Sequence, residues 1–309
     1  MSTYALGMML AGLASVTTPV LPSFILGSGA EPDETLATSI DSGRRMTVET
    51  HVNGAGPFSF TIDTGADRSV VSDRLASHLS LPSGKTVTVY GIAGPVPVST
   101  VLVDSIRVGQ RERKGIAAPV LPERSLGSAG FLGIDALRDQ RILMDFRRNR
   151  ITIAASAREA MDGDPDVIVV TGRSRFGQLI LTDARIGNLK VHAIIDTGAE
   201  NTVGNLALRK IMQKRGGGRD VHMTTLVGVT GAEIPAEASV IPRIRLGGLL
   251  IGDMPIAYAD VRTFALFGID DKPAILVGMD VLRSFERVAV DFKEREVRFR
   301  VADGAIGNS

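Results

Sequence analysis

Polar and apolar positions alternate with a period of two through much of the chain. Met46, Val48, Thr50 and Val52 are interleaved with Thr47, Glu49 and His51, the pattern of a half-buried strand. Asn53-Gly54 follows, a dipeptide that suits a tight hairpin turn. Phe58, Phe60 and Ile62 then alternate with Ser59, Thr61 and Asp63, so Asp63 is expected at a strand end, on the face opposite the phenylalanines. Helical spacing is confined to short stretches. Ser72–Leu79 and Asn205–Lys214 read as helices with Ser72 and Asn205 as N-caps, and another pair is expected to begin near Ile134 and Met279.

The pattern occurs twice. FSFTIDTGADRSVV (58–71) is answered by KVHAIIDTGAENTV (190–203), with the two aspartates 133 residues apart. FLGIDAL (131–137) is answered by LVGMDVL (276–282), and RILMDFRRNRITI (141–153) by RVAVDFKEREVRF (287–299). Between them, GIAGPVPVSTVLVDSIRVG matches GVTGAEIPAEASVIPRIRLG. Blocks recurring in one order define a duplicated unit. The expected organisation is an N-terminal lobe at 41–155, a connector at 156–174 and a C-terminal lobe at 175–303. Val167–Val170 inside the connector reads as a strand joining the lobes. The fold class is all-β and two-lobed, with pseudo-twofold symmetry and a few short helices.

Residues 1–30 stand apart. No charged side chain occurs from Met1 to Ala30, and Leu6–Leu13 is apolar. This segment reads as a signal peptide or an N-terminal anchor, which places the working protein outside the cytoplasm, periplasmic or secreted. Any membrane contact is confined to these residues, since no later apolar run is long enough to span a bilayer.

Composition narrows the chemistry. Lys and Arg total 35 against 34 Asp and Glu, so no global field points to nucleic acid. The absence of cysteine removes thiolate nucleophiles, Cys-ligated zinc and iron–sulfur clusters. The four histidines, His51, His78, His192 and His222, show no metalloprotease spacing, and no G-x-S-x-G elbow occurs. No metal and no cofactor is expected. Gly84-Lys85-Thr86 resembles the end of a phosphate-binding loop but lacks its first glycine, and reads as a turn. Lys214–Arg219 reads as a flexible loop.

The two Asp-Thr-Gly-Ala segments carry the chemistry. If the lobes pack about a twofold axis, Asp63 and Asp196 meet. Neighbouring carboxylates cannot both ionise easily, so such a pair shares a proton. One member can then take a proton from water while the other polarises a carbonyl. That is apparatus for amide hydrolysis without a metal.

These segments resemble those of the aspartic peptidases, in a pepsin-like two-lobed chain built from retropepsin-like units, as in bacterial retropepsin-like proteins. The resemblance covers residues 41–303 and includes a second signature at Phe131-Leu132-Gly133 and Leu276-Val277-Gly278. It implies an endopeptidase acting on peptide or protein substrates, working as a monomer, with Asp63 and Asp196 catalytic. It gives Thr64 and Thr197 the interlocking hydroxyls beneath them, and the Gly65 and Gly198 amides hydrogen bonds to the carboxylates. Ala66 and Ala199 follow the retropepsin pattern. Tyr90 and Gly91 match the flap that covers the cleft, and Gly228 stands at the equivalent place in the second lobe. Retropepsins carry Arg after the second-signature glycine, where this chain has Ile134 and Met279. Asp67 and Glu200, at positions that hold substrate backbone in the family, thereby lose an expected partner. No basic pro-segment of the pepsin type precedes the first lobe. The alternative is a catalytically weak peptide-binding or regulatory protein of the same fold.

Overall fold

The computed structural model describes residues 3–6, 10–12, 33–137, 140–155, 166–175, 178–216 and 219–301. Strands dominate, and the described helices are short. Met46–Val52 and Ala55–Ile62 form the expected hairpin about Asn53-Gly54, both at positive φ. Gln178–Ile186 and Leu189–Ile195 repeat it in the second lobe. The helices Asp73–His78 and Leu206–Lys214 start where expected. Ser72 Oγ accepts from Leu75 N and Asn205 Oδ1 from Leu208 N, each satisfying a donor that the first turn leaves free.

A short strand locks the end of each hairpin. Gly130–Leu132 runs parallel to Phe60–Ile62, with Leu132 beside Ile62. Ala274–Val277 runs parallel to His192–Ile195, with Val277 beside Ile195. The segment after each strand therefore leaves the sheet at the same height. Asp63 N donates to Leu132 O at 3.0 Å and Asp196 N to Val277 O at 3.1 Å.

A six-stranded antiparallel sheet joins the lobes. Its order is Glu34–Ile40, Arg150–Ala155, Gln140–Asp145, Arg287–Asp291, Glu296–Arg300 and Val167–Arg175. The two central strands pair symmetrically, Arg141 with Asp291 and Asp145 with Arg287, about Leu143 and Ala289. The strand expected at Val167–Val170 runs on to Arg175, and its later part pairs with Gln178–Leu181.

Gly84-Lys85-Thr86 is not a turn. It belongs to the strand Ser83–Gly91, which pairs with Gly94–Val108. A register shift lies between Ser83 and Thr86, where Thr100 Oγ1 donates to Lys85 O at 2.6 Å. Of residues 1–30, read as signal or anchor, most lie outside the described residues. Thr3–Leu6 and Leu10–Gly12 are described, as strands. Among the described residues no helix is long and apolar enough to cross a membrane.

Candidate active site

Both Asp-Thr-Gly-Ala turns meet at the pseudo-twofold axis. Thr64 N donates to Thr197 Oγ1, and Thr197 N to Thr64 Oγ1, each at 3.1 Å. The hydroxyls pass the bonds on, Thr64 Oγ1 to Ile195 O at 3.0 Å and Thr197 Oγ1 to Ile62 O at 2.7 Å. Four buried hydrogen bonds thus cross the lobes, each with a net contribution of about 1 kcal/mol.

Above them stand the aspartates, both with no exposed surface. Gly65 N donates to Asp63 Oδ1 at 2.8 Å, and Gly198 N to Asp196 Oδ1 at 2.9 Å. Ala199 N adds a bond to Asp196 Oδ1 at 3.1 Å. The glycines are required by space. A Cβ on Gly65 would lie 2.5 Å from Asp196 Cγ, and one on Gly198 would lie 2.2 Å from Asp63 Cγ. The two carboxyl groups lie close enough for each to bear on the other's ionisation, and Oδ2 of each is buried without a hydrogen-bond partner. Burial raises both above the ordinary carboxylate range. For Asp196 the neighbouring charge of Asp63 adds to burial. For Asp63 the Gly65 amide, the Asp196 carboxyl and the Arg45 cation oppose it. The pair therefore holds a proton across a wide range of pH.

Arg45 is the residue that sequence reasoning missed. Its side chain is 1% exposed and pairs with Asp41, 2% exposed, at 2.7 Å. Its Nη1 donates to Gly198 O at 3.1 Å and its Nη2 to Leu126 O, and the guanidinium lies 5.1 Å from the Phe131 ring centroid. A first-lobe cation thus holds the second-lobe turn from behind. Arg45 is 18 residues before Asp63, and the corresponding residue before Asp196 is Gln178.

In place of the arginine expected after the second-signature glycine, each lobe uses an aspartate one position later. Asp135 Oδ1 accepts from Ser69 N at 2.8 Å and Ser69 Oγ at 2.7 Å, and Ser69 Oγ accepts from Gly133 N. Asp280 and Thr202 repeat this, with Gly278 N donating to Thr202 Oγ1. Burial pushes both aspartates upward in pKa. The signal was present in sequence. Ser69 and Thr202 share the 133-residue offset, and both aspartates follow the second-signature glycine. Ile134 N and Met279 N donate to Ala66 O and Ala199 O, so the main chain does part of the bracing. Glu200 lines a cavity of about 260 Å³ with Arg44, Asp280 and Arg283, and Asp67 sits at the equivalent place in the first lobe.

Tyr90 and Gly91 end the outer strand of one hairpin, and Gly228 ends the equivalent strand, Arg219–Gly228. Both hairpins close over the site. Ile92 at the first tip is wholly buried among second-lobe residues including Ala199, Leu226, Val261 and Phe264. Val229 at the second tip is buried among first-lobe residues including Ala66, Val89, Leu126 and Phe131. Tyr90 packs at the margin of the cluster holding Ile92. His192 is partly buried and lies beside Lys190 and Lys272 rather than at the aspartates. Among the described residues no cluster of three His, Cys, Asp or Glu could hold a metal.

Two equivalent all-β lobes that meet through a pair of carboxylates define the class of protein. Residues 48–136 and 182–281 each match the family described as aspartyl protease. The chain belongs to that family. No curated protein matches it.

Proposed function

We propose that the protein is an aspartic endopeptidase that hydrolyses peptide bonds through a water held between Asp63 and Asp196. The observation that carries this is the closeness of two buried carboxyl groups whose Oδ2 atoms are without hydrogen-bond partners. The backbone amides favour charge on both carboxyls alike, and the Arg45 cation adds to this at Asp63 alone, so Asp63 is assigned as the base. It takes a proton from water as the water oxygen bonds to the scissile carbonyl carbon. Asp196 donates its proton to the carbonyl oxygen. The resulting neutral diol collapses as Asp63 passes its proton to the amide nitrogen, the C–N bond breaks and Asp196 takes back a proton from a diol hydroxyl, which restores the starting dyad. Each turn is fixed by main-chain donors and the interlocked threonines, so little reorganisation accompanies the charge movement.

An extended peptide would lie under both hairpins and hydrogen-bond to their strand edges. Meeting of both aspartates in one chain supports a monomeric enzyme. The uncharged residues 1–30 support action outside the cytoplasm, and N-terminal sequencing of the processed protein tests this. Finding intact Met1 in a soluble cytoplasmic fraction would oppose it.

The deciding experiment is a peptide-library digest with and without a statine-type inhibitor, repeated on Asp63→Asn. Cleavage that both the inhibitor and the substitution abolish supports the reading. Inhibitor binding without any cleavage would leave a peptide-binding protein of the same fold.

A further inference from the structure

A cavity of about 360 Å³ lies in the second lobe, apart from the dyad. It opens where the strands Val167–Arg175, Gln178–Ile186 and Leu189–Ile195 meet the turn that ends at Lys272. Arg173, Lys190 and Lys272, all exposed, stand around it. Among the described residues none of the three makes an ion pair, and no acidic side chain lines the cavity. Asp270 and Asp271 adjoin Lys272 in sequence but stand outside the lining. His192 forms part of the wall. Burial, then the Lys272 and Lys190 charges, hold its imidazole below the ordinary histidine range, and no carboxylate offsets them. Beneath the charges the wall is apolar: Ile180 is partly buried, and Phe267 and Ile269 are buried. A lone exposed lysine is a solvated charge. Three cations around one apolar recess, with no counter-charge, form a concentrated positive field.

The first lobe holds the same recess without the charge. At the 133-residue offset, Thr47, Val48, Pro57 and Ser59 answer Ile180, Leu181, Lys190 and His192, and these four line a cavity of about 230 Å³. Ser39 sits beside Thr47 as Arg173 sits beside Ile180, and Ser39 lines that cavity too. Serine, proline and serine thus stand where the second lobe has arginine, lysine and histidine. Among the described residues the one charged side chain lining the first-lobe cavity is Glu49. The hairpin closes in both lobes, so the cations are not needed to build it.

We propose that the second-lobe cavity binds a phosphate monoester carried on a small apolar body, with the phosphate held by Arg173, Lys190 and Lys272 and the body against Ile180, Phe267 and Ile269. A phosphate monoester carries close to two negative charges at neutral pH, which suits three cations better than a single carboxylate does. An arginine fork and lysine point charges both serve phosphate oxygens well. The apolar floor distinguishes an ester from the free ion. His192 precedes Asp196 by four residues along one extended segment, a span of about 13 Å at the rise of a strand, so the cavity is separate from the cleft. Its occupancy does not depend on peptidase activity.

The test uses the full chain and phenyl phosphate, titrated by calorimetry, with inorganic phosphate as the second probe. Phenyl phosphate should bind about tenfold more tightly than inorganic phosphate, since only the ester reaches the apolar floor. Lys190→Gln/Lys272→Gln should weaken its binding by about tenfold or more, with circular dichroism unchanged. Glu49→Gln, in the first-lobe counterpart, should leave binding unchanged, and so should Asp63→Asn. Amide shifts in NMR should fall on Lys190–His192 and Phe267–Lys272. Vesicles containing phosphatidic acid separate the two bearers of this headgroup. Capture that phenyl phosphate relieves assigns the phosphate to a lipid, and no capture assigns it to a soluble ester. No saturable binding of phenyl phosphate overturns the proposal. Equal affinity for the two probes, or binding that the double substitution leaves intact, overturns it as well. Loss of binding in Asp63→Asn would place the ligand in the cleft and overturn it too.

Discussion

The two lobes present the same turn at the same height, yet they support it differently. In each, a threonine crosses the axis, a glycine amide holds Oδ1, and a hydroxyl–aspartate pair ties the turn to the second signature. Only the first lobe contributes the buried Arg45–Asp41 pair, and Arg45 reaches across to the second-lobe Gly198 carbonyl. The proposed reaction needs a base and an acid at once, and one proton shared by two carboxyls supplies both. The Arg45 cation adds a bias, favouring the charge on Asp63.

The sharpest challenge to this comparison is to remove either carboxylate. Asp63→Asn and Asp196→Asn should each lower kcat/KM by about 10,000-fold on a fluorogenic peptide, with circular dichroism unchanged. If one variant kept near-wild-type activity, the lobes would not share the work.

Removing the asymmetric cation should cost stability first. Arg45→Gln leaves Asp41 buried without its partner, a loss of about 3–5 kcal/mol in urea unfolding. Asp41→Asn added to it should recover part of that loss. The same variant should move the acid limb of the kcat/KM profile to higher pH, because the cation that favours ionised Asp63 is gone. A limb that stays in place would show that the lobes differ in packing and not in charge.

A smaller effect concerns stability against pH. Both dyad carboxyls have folded pKa values raised above the unfolded ones, so between about pH 4 and the folded values the native state binds more protons. Stability from this source is complete below the unfolded pKa and is lost as pH rises through the folded pKa. Asp63→Asn/Asp196→Asn should therefore match wild type near pH 3 and exceed it at pH 8, by about 1.4 kcal/mol for every tenfold by which folding tightens proton binding. Urea unfolding at the two pH values checks this, and an equal margin at both would refute it.

The smallest effect is at Ala66 and Ala199, both fully buried beside the carboxyls. A serine hydroxyl there could donate to the ionised form, so Ala66→Ser/Ala199→Ser should move both limbs of the pH–rate profile down by about one pH unit. Comparing the single variants shows which lobe responds more. Limbs that do not move, or move upward, would exclude this form of tuning.

The parts legible in sequence were those that duplication wrote twice. Asp63 and Asp196, the threonines, the glycines and the helix caps each carry a specific residue at a matching place. Arg45 had no such counterpart, and its acceptors lie 153 and 81 residues away. Nothing local distinguishes it from a surface arginine. Ile92 and Val229 were hidden for another reason. Each looks like an ordinary apolar residue at a hairpin tip, and only the closed arrangement shows that each is buried in the opposite lobe. An uncharged apolar run fits a leader and an added strand equally well, so the pairing of Thr3–Leu6 and Leu10–Gly12 was not readable from composition.

The symmetric register of Gln140–Asp145 against Arg287–Asp291 has a consequence for dilution. A joint in which one strand meets its own equivalent, residue for residue, is the kind that two separate copies of a unit make across a twofold axis. In a two-chain version the share of assembled sites falls by mass action as the protein is thinned out. Here one covalent chain supplies both halves, and each half meets the other at an effective concentration set by the tether rather than by the surroundings. The specific activity of such an enzyme should stay level down to the lowest concentrations that can be assayed.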